Sequence, residues 1–376
     1  MQKQTVEIIE VKTKRELKDF IEFPLHFYSD NPFYVPQLTR DMKVHFSQKN
    51  PFFRDADIKF FLAIKGGKTV GRIASIIDPH HIRVHKEKAG SFGFLECIND
   101  RSVSEALLNT AYNELKQQGM EIMRGPMNFS TNEECGFLID GFDSRPMLMM
   151  PYNPPYYNDL MTDFGLAKAK DLNAYIYDVQ EELPEKVLRV ASIVEKKGIT
   201  VRHIDKKNFI HDMKIFQDVY NSAWEKNWGF VPISDEDLIY SAERLKPLVV
   251  PELTLIAEKD GVPVGFLGMI PDFNSVLARM RGSLNPVTII KALYYSKKIS
   301  DLRLLLFGIK AEYRNKGVDS LLFKEGFKGI HKGNYKRVEF SWILEDNIPT
   351  IRIIETIGGK LYKKYRIYEK EITQGN

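Results

Sequence analysis

The sequence predicts an α/β (α+β) protein of two tandem domains, each a mixed, mostly antiparallel sheet flanked by helices. Three observations carry this. The pattern Asn-x-x-aromatic-Val-Pro stands at Asn31–Pro36 and again at Asn227–Pro232, each time after a helical pattern, over 15–27 and 209–224. A hairpin follows in both places: Ala63-x-Lys65-x-Gly67-x-x-Val70-Gly71 is matched by Ala257-x-Lys259-x-Gly261-x-x-Val264-Gly265. Gly66-Gly67 and Asp260-Gly261 are strong two-residue turns between β-rich runs. Finally, Leu107-Leu108 and Leu321-Leu322 sit in helices that end near Gly119 and Gly333, and each is followed by a strand running to an Asn, Asn132 or Asn347. Matches in the same order along the chain read as a duplication.

The order within each copy is strand, helix, short second helix or turn, two-stranded hairpin, third antiparallel strand, helix, strand, helix, strand. Spacing between the copies widens after the hairpins, which places a helix-sized insertion at 286–300 in the second. It narrows again before Gly165 and Gly358, which places another insertion at 133–154 in the first. The boundary falls at Gln180-Glu181-Glu182, giving domains 1–180 and 181–376. A chain of 376 residues is long enough for two such cores.

Composition bounds the function classes. With 43% hydrophobic and 28% charged residues, the chain reads as soluble and globular. The net charge of +4 is spread out, with no Lys/Arg block of binding-tail length, so no nucleic-acid partner is expected. Cys97 and Cys135 make no disulfide framework and fit a reducing compartment. The start, MQKQTVEIIEVKTKREL, has no apolar core of a leader, and no stretch approaches bilayer length. A cytoplasmic protein without a membrane partner is the expectation. His80, His81 and His85 lack a clear third ligand, so no metal is assigned.

The stretch 302–322, LRLLLFGIKAEYRNKGVDSLL, carries the strongest chemical signal. An apolar strand ends in the basic turn Arg314-Asn315-Lys316-Gly317 and feeds a helix. Such a corner aims free N–H groups and the positive end of a helix dipole at one point, which suits a phosphate or pyrophosphate. Arg314-x-x-Gly317-Val318 after a strand resembles the acyl-CoA pyrophosphate loop of the GNAT N-acyltransferase superfamily, whose pattern is Gln/Arg-x-x-Gly-x-Gly/Ala. Asp319 stands where that pattern has its second small residue. The element order of both halves resembles the same fold. Gly125-Pro-Met-Asn128, Gly136-Phe-Leu-Ile-Asp140-Gly-Phe142 and Pro154-Pro155-Tyr156-Tyr157 resemble a bacterial family of tandem GNAT-like proteins.

The resemblance implies acyl-CoA, most simply acetyl-CoA, as a substrate held by Ile309, Arg314, Asn315, Lys316, Gly317, Val318 and Asn347. It implies that the strands over 307–310 and 339–344 splay to admit the pantetheine arm as an added strand would pair. The acceptor, a small-molecule or peptide amine, would lie over Asn227, Trp228 and Phe230. Direct attack on a thioester needs a base and an acid. The Tyr that many superfamily members use as acid is replaced by Ile354 in the second half and Met161 in the first, and neither donates a proton. Glu345, Asp346 and Asp272 are the candidate bases, although Glu345-Asp346-Asn347 before Ile-Pro is also a helix N-cap sequence.

The first half has Glu96 and Asp100 and no Gly where the second has its basic turn, so it is not expected to bind CoA in that way. Its insertion packs Asn128, Ser130, Asn132 and Glu133 into a short loop. These residues read either as a polar substrate pocket or as turn formers of an ordered loop. Three functions stay open: N-acyl transfer to an amine, non-catalytic ligand binding on the same fold, and aminoacyl or long-chain acyl transfer.

Overall fold

The computed structural model describes residues 5–373. In chain order the first repeat begins β1 (Glu7–Glu10), α1 (Lys14–Phe27) and α2 (Thr39–His45), then the hairpin β2 (Asp57–Lys65) and β3 (Lys68–Ile77). Next come α3 (Pro79–His85), β4 (Ala89–Cys97), α4 (Arg101–Gln117) and β5 (Ile122–Gly125). Short strands β6 (Met127–Asn128), β7 (Glu134–Cys135) and β8 (Phe137–Asp140) precede α5 (Tyr157–Asp163) and β9 (Ala167–Asp178).

The second repeat follows α6 (Glu185–Lys196). It runs β10 (Ile199–His203), α7 (Phe209–Trp224), α8 (Asp235–Leu245), β11 (Thr254–Lys259) and β12 (Val262–Pro271). The inserted helices are α9 (Asn274–Met280) and α10 (Pro286–Ser296). The repeat closes with β13 (Asp301–Ile309), α11 (Val318–Lys332), β14 (Arg337–Leu344), α12 (Ile348–Thr356) and β15 (Lys360–Glu371). Local chemistry sets these bounds. Gly66, Gly67, Asp260 and Gly261 all take positive φ, as the tight hairpins demand. Thr13 and Glu16 form a capping box at the start of α1.

The chain divides into two compact units, and these are not the two halves of the sequence. Unit 1 holds 1–172, 274–296 and 363–376; unit 2 holds 173–273 and 297–362. Compactness follows which strands pair, not the linear division expected at 180/181. Tyr368–Glu371 of β15 pair antiparallel with Ile122–Gly125 of β5, so the strand that ends the second repeat completes the sheet of unit 1. The part of β9 from 173 onward lies in unit 2, beside β14. The inserted α9–α10 segment joins unit 1 through hydrogen bonds from Asn274 Nδ2 to the Pro146 carbonyl (2.9 Å) and from Thr39 N to the Gly282 carbonyl (3.1 Å).

Unit 1 has strand order β1-β2-β3-β4-β5-β15. On one face α4 buries Val103, Leu107, Leu108 and Ala111 against Phe61, Ile73 and Phe92. On the other, Phe20 and Ile21 of α1 meet Leu62, Ala74, Phe94 and Phe129. Unit 2 has the order β9-β14-β13-β12-β11-β10. There α6 and α11 cover one face with Val187, Ala191, Leu321 and Leu322. Phe216, Val219 and Tyr220 of α7 cover the other, against Ile256 and Phe266. Each unit is thus a helix–sheet–helix stack. Among the described residues no helix is long and apolar enough to cross a membrane.

Candidate functional site

In unit 2 the parallel pair β13/β14 is held for only four residues, Asp301–Leu304 against Arg337–Phe340. Leu305 is then bulged out against β12, where the register jumps between Gly268 and Met269. Both strands continue, β13 to Ile309 and β14 to Leu344, without pairing to each other. Burial records the same event. Leu302, Arg303, Leu304, Val338, Glu339 and Phe340 are buried, whereas Leu305–Phe307 and Ser341–Leu344 are only half-buried. A bulge that re-aims one strand opens a wedge whose two walls no longer pair with each other, and Trp224 Nε1 donates to the Phe307 carbonyl at 3.2 Å. Phe307 and Phe323 stack at 5.3 Å beside it, with Phe340 6.2 Å from Phe323.

The turn closing this wedge has the form the sequence predicts. Asn315 and Gly317 take positive φ, +57° and +85°, and Gly317 is the N-cap of α11 with no side chain capping the first amides. Those amides and the dipole therefore face outward. A Cβ on Gly317 would lie 2.5 Å from Val190 Cγ1 of α6, so the helix packed behind the turn also requires glycine. Arg314, Asn315 and Lys316 are exposed. The Arg314 guanidinium donates to the carbonyls of Ile309 (3.2 Å) and Ala223 (2.5 Å), and Lys316 lies over the Tyr313 ring. Arg314 thus braces the turn against β13 and the end of α7. These residues fit a pyrophosphate: uncapped amides and two cations stand together, with Asp319 in the first turn as an opposing charge.

At the closed end of the wedge lies a buried polar cluster that sequence reasoning missed. Arg303 and Glu339 are cross-strand partners, 1% and 0% exposed. Arg303 Nε donates to Ser341 Oγ at 2.8 Å and stands 3.6 Å from Glu339 Oε1. Its guanidinium also lies over Trp342 at 4.9 Å. The Tyr362 hydroxyl donates to Glu339 Oε2, while Glu339 Oε1 has no hydrogen-bond partner. Glu339 is thus a carboxylate kept from water beside one cation, with one oxygen that makes no hydrogen bond. The only signal in the sequence is charge at alternate positions of two otherwise apolar strands, which reads as a solvated face.

The remaining candidate residues scatter. Asn347 caps α12, its side chain accepting from Thr350 N at 3.4 Å, and the Ile348 amide donates to the Asp346 carbonyl. Asp346 is exposed, and Glu345 and Asp272 are half-buried, the last at the end of β12. Asn227 and Trp228 are half-buried, whereas Phe230 is core, 5.5 Å from the Tyr220 ring. Ile354 and Met161 are fully buried in helices α12 and α5.

Unit 1 repeats the bulge and fills its wedge. β4 and β5 pair over Ala89–Ser91 and Ile122–Arg124, and the β3/β4 register then shifts at Arg72/Ala74. Here the chain turns into the opening. Asn128 Oδ1 accepts from Phe94 N at 2.7 Å, and Gly93 lies so close to the Met127 carbonyl that a Cβ would overlap it at 1.9 Å. Phe129 is buried against Phe94, Phe53 and His45, with ring centroids 4.7, 5.1 and 5.0 Å away. Glu133 accepts from Phe129 N (2.9 Å), and the Asn132 amide donates to Ser130 Oγ (3.2 Å). His45 Nε2 is 3.6 Å from Glu133 Oε2, and the buried Asn50 donates to the His45 carbonyl. His45 is a further partner that the sequence did not single out.

The corner between β4 and α4 is closed as well. Asp100 accepts from Ser102 N and pairs with Lys65 at 2.5 Å, which pulls its carboxyl down to about 2. Glu96 pairs with Arg72. Burial pushes the Cys97 thiol up to about 12, and Cys135 is buried too. Among the described residues no group of three or more His, Cys, Asp or Glu is placed to hold a metal.

Duplicated three-layer units with a bulged, splaying parallel pair define a tandem GNAT protein. Structures of that class align over nearly the whole chain. A tandem GNAT protein from the clavulanic acid biosynthesis pathway covers 99% of this chain and 100% of its own, at TM-score 0.57 and 12% identity. A GCN5-related N-acetyltransferase from Anabaena variabilis covers 98% of this chain and 73% of its own, at 0.52 and 10%. No protein-family model matches. Two relatives are closer in sequence. Protein YghO of Escherichia coli (strain K12) is 34% identical over 365 residues, 96% of this chain and 94% of that protein. The bacterial ceramide synthase of Caulobacter vibrioides (strain NA1000 / CB15N) is 32% identical over 373 residues, 97% of each. The chain belongs to the family of tandem GNAT proteins that contains these two.

Proposed function

We propose that the protein is an N-acyltransferase, that its second repeat holds the acyl-CoA, and that the acceptor is the amino group of a long-chain amine. The observation that carries the donor is the open β13/β14 wedge beside the uncapped amides at Gly317. Gly317, Val318, Arg314, Asn315 and Lys316 take the pyrophosphate, and the edge of β13 leading to Ile309, which has parted from β14, takes the pantetheine arm. The acceptor class rests on the relative named a ceramide synthase, a ceramide being the amide of a long-chain amino alcohol and a fatty acid.

In this reading the amine nitrogen attacks the thioester carbonyl, the carbon–sulfur bond breaks, and amide and CoA thiol leave. Tyr362 accepts the amine proton as its own passes to Glu339, gives one proton to the departing sulfur, and takes its own back from Glu339. Arg303 holds the carboxylate in place. Glu345, Asp346 and Asp272 remain outside this relay, and Asn347 serves its helix.

The test is to incubate the purified chain with acyl-CoAs from acetyl to palmitoyl and a sphingoid base, following thiol release and the amide by mass spectrometry. Amide formation that favours a long acyl chain supports the reading, and a preference for acetyl-CoA returns the donor to the shorter group. A second reading, ligand binding without chemistry, is favoured by Asp319 in the first turn and by the engagement of Arg314 with two carbonyls. Titration calorimetry decides: no heat with CoA at millimolar levels removes the acyl-CoA site altogether.

A further inference from the structure

The inserted helix α10 presents an apolar face that its own unit does not cover. Thr288, Ala292 and Tyr295 turn toward the protein. Val287, Ile290, Leu293 and Tyr294 turn away and are 61, 68, 64 and 56% exposed, with Ile289 and Leu284 at 43 and 44%. At 100° per residue, the outward positions run from Ile289 through Leu293, Ile290 and Tyr294 to Val287, with Lys291 at the edge. Exposure of this much contiguous apolar surface marks an interaction site.

Charge selects the occupant. Residues 274–300 include Arg279, Arg281, Lys291, Lys297 and Lys298 and no Asp or Glu. Just before the helix, Arg281, Gly282, Ser283 and Leu284 form one wall of an open cleft of about 890 Å³, and Arg40, Lys43 and Lys49 form the other. Among the described residues none of Arg40, Lys43, Lys49 and Arg281 pairs with a carboxylate. Leu284 belongs to both the cleft and the apolar surface.

We infer that α10 and this cleft together dock the protein on an anionic phospholipid surface. The helix lies in the interface with Val287, Ile290, Leu293 and Tyr294 among the acyl chains, Lys291 reaches back to the headgroups, and Arg40, Lys43, Lys49 and Arg281 take lipid phosphates. A second copy of the chain is the poorer occupant. A two-fold contact would set each cluster of cations against its twin. The inference is independent of acyl transfer, because it concerns lipid alone.

The experiment is co-sedimentation of the full chain with vesicles of phosphatidylcholine mixed with phosphatidylglycerol, against phosphatidylcholine alone, at low and high salt. Binding to the anionic vesicles that weakens with salt is expected. Ile290→Asp with Leu293→Asp, at positions 68 and 64% exposed, should lower it by at least roughly tenfold with an unchanged melting temperature. Each of Arg40→Ala, Lys43→Ala and Arg281→Ala should cost about fivefold. The inference fails if the wild-type chain stays in the supernatant with anionic vesicles. It also fails if the double variant binds as well as wild type, or if sedimentation velocity shows a dimer that the double variant dissociates while vesicles bind neither.

Discussion

The two strand–turn–helix corners, β4 to α4 and β13 to α11, descend from one design and have been finished in opposite ways. In the first, an aspartate caps the helix, a lysine neutralises the aspartate, and the chain itself fills the wedge between the splayed strands. In the second, a glycine with positive φ leaves the helix amides bare and the wedge stands open. The third rung of each short parallel ladder differs in the same sense. Arg124 in unit 1 is gripped by Glu87 and Glu369, whereas Glu339 in unit 2 keeps an oxygen without a hydrogen bond. One copy closes its corner and its wedge with its own side chains. The other leaves donors and an acceptor for something else to satisfy.

The contrast can be broken from the largest effect downward. Glu339→Gln should lower kcat by roughly 10²–10⁴-fold in the acyl-transfer assay. A kcat identical to wild type would remove Glu339 from the chemistry. Phe129→Ala empties the plug of unit 1 and should cost about 3–5 kcal/mol in denaturant unfolding, without loss of CoA binding. Gly317→Ala places a Cβ against Val190 in a left-handed backbone and should destabilise by about 1–3 kcal/mol while also weakening CoA in calorimetry. Phe129→Ala and Gly317→Ala therefore separate scaffold from site.

The smallest effect is a pH dependence at the closed corner. Because Lys65 lowers the Asp100 carboxyl to about 2, Asp100 contributes stability above its unfolded pKa. That contribution is lost as pH falls from about 4 towards 2, and partial exposure limits it to about 1–2 kcal/mol. Asp100→Asn should remove this part of the acid sensitivity, measured as the difference between wild-type and variant unfolding free energies across that range.

What could be read in advance followed the range of the interaction. Turn chemistry is local, so Gly66-Gly67, Asp260-Gly261 and Gly317 announced both hairpins and the bare helix start. The repeat itself was legible because the same short-range solutions recur. The exchange of β9 and β15 was not, since strand partners are chosen across long separations and each strand looks alike in either sheet. Glu339 and Arg303 were hidden for another reason: an alternating strand shows which residues share a face, never whether that face is wet. Phe129 and His45 became neighbours only through the turn of the chain after Gly125.

The exchange of β15 bears on how the molecule is made. During synthesis β5 emerges long before Tyr368–Glu371, the residues that pair with it. Unit 1 must therefore wait with an unsatisfied sheet edge until β15 has also left the ribosome. Such an edge is a template for wrong partners. A gene fragment cut between the repeats would leave that edge without its partner strand, so the first repeat cannot complete its sheet without the second.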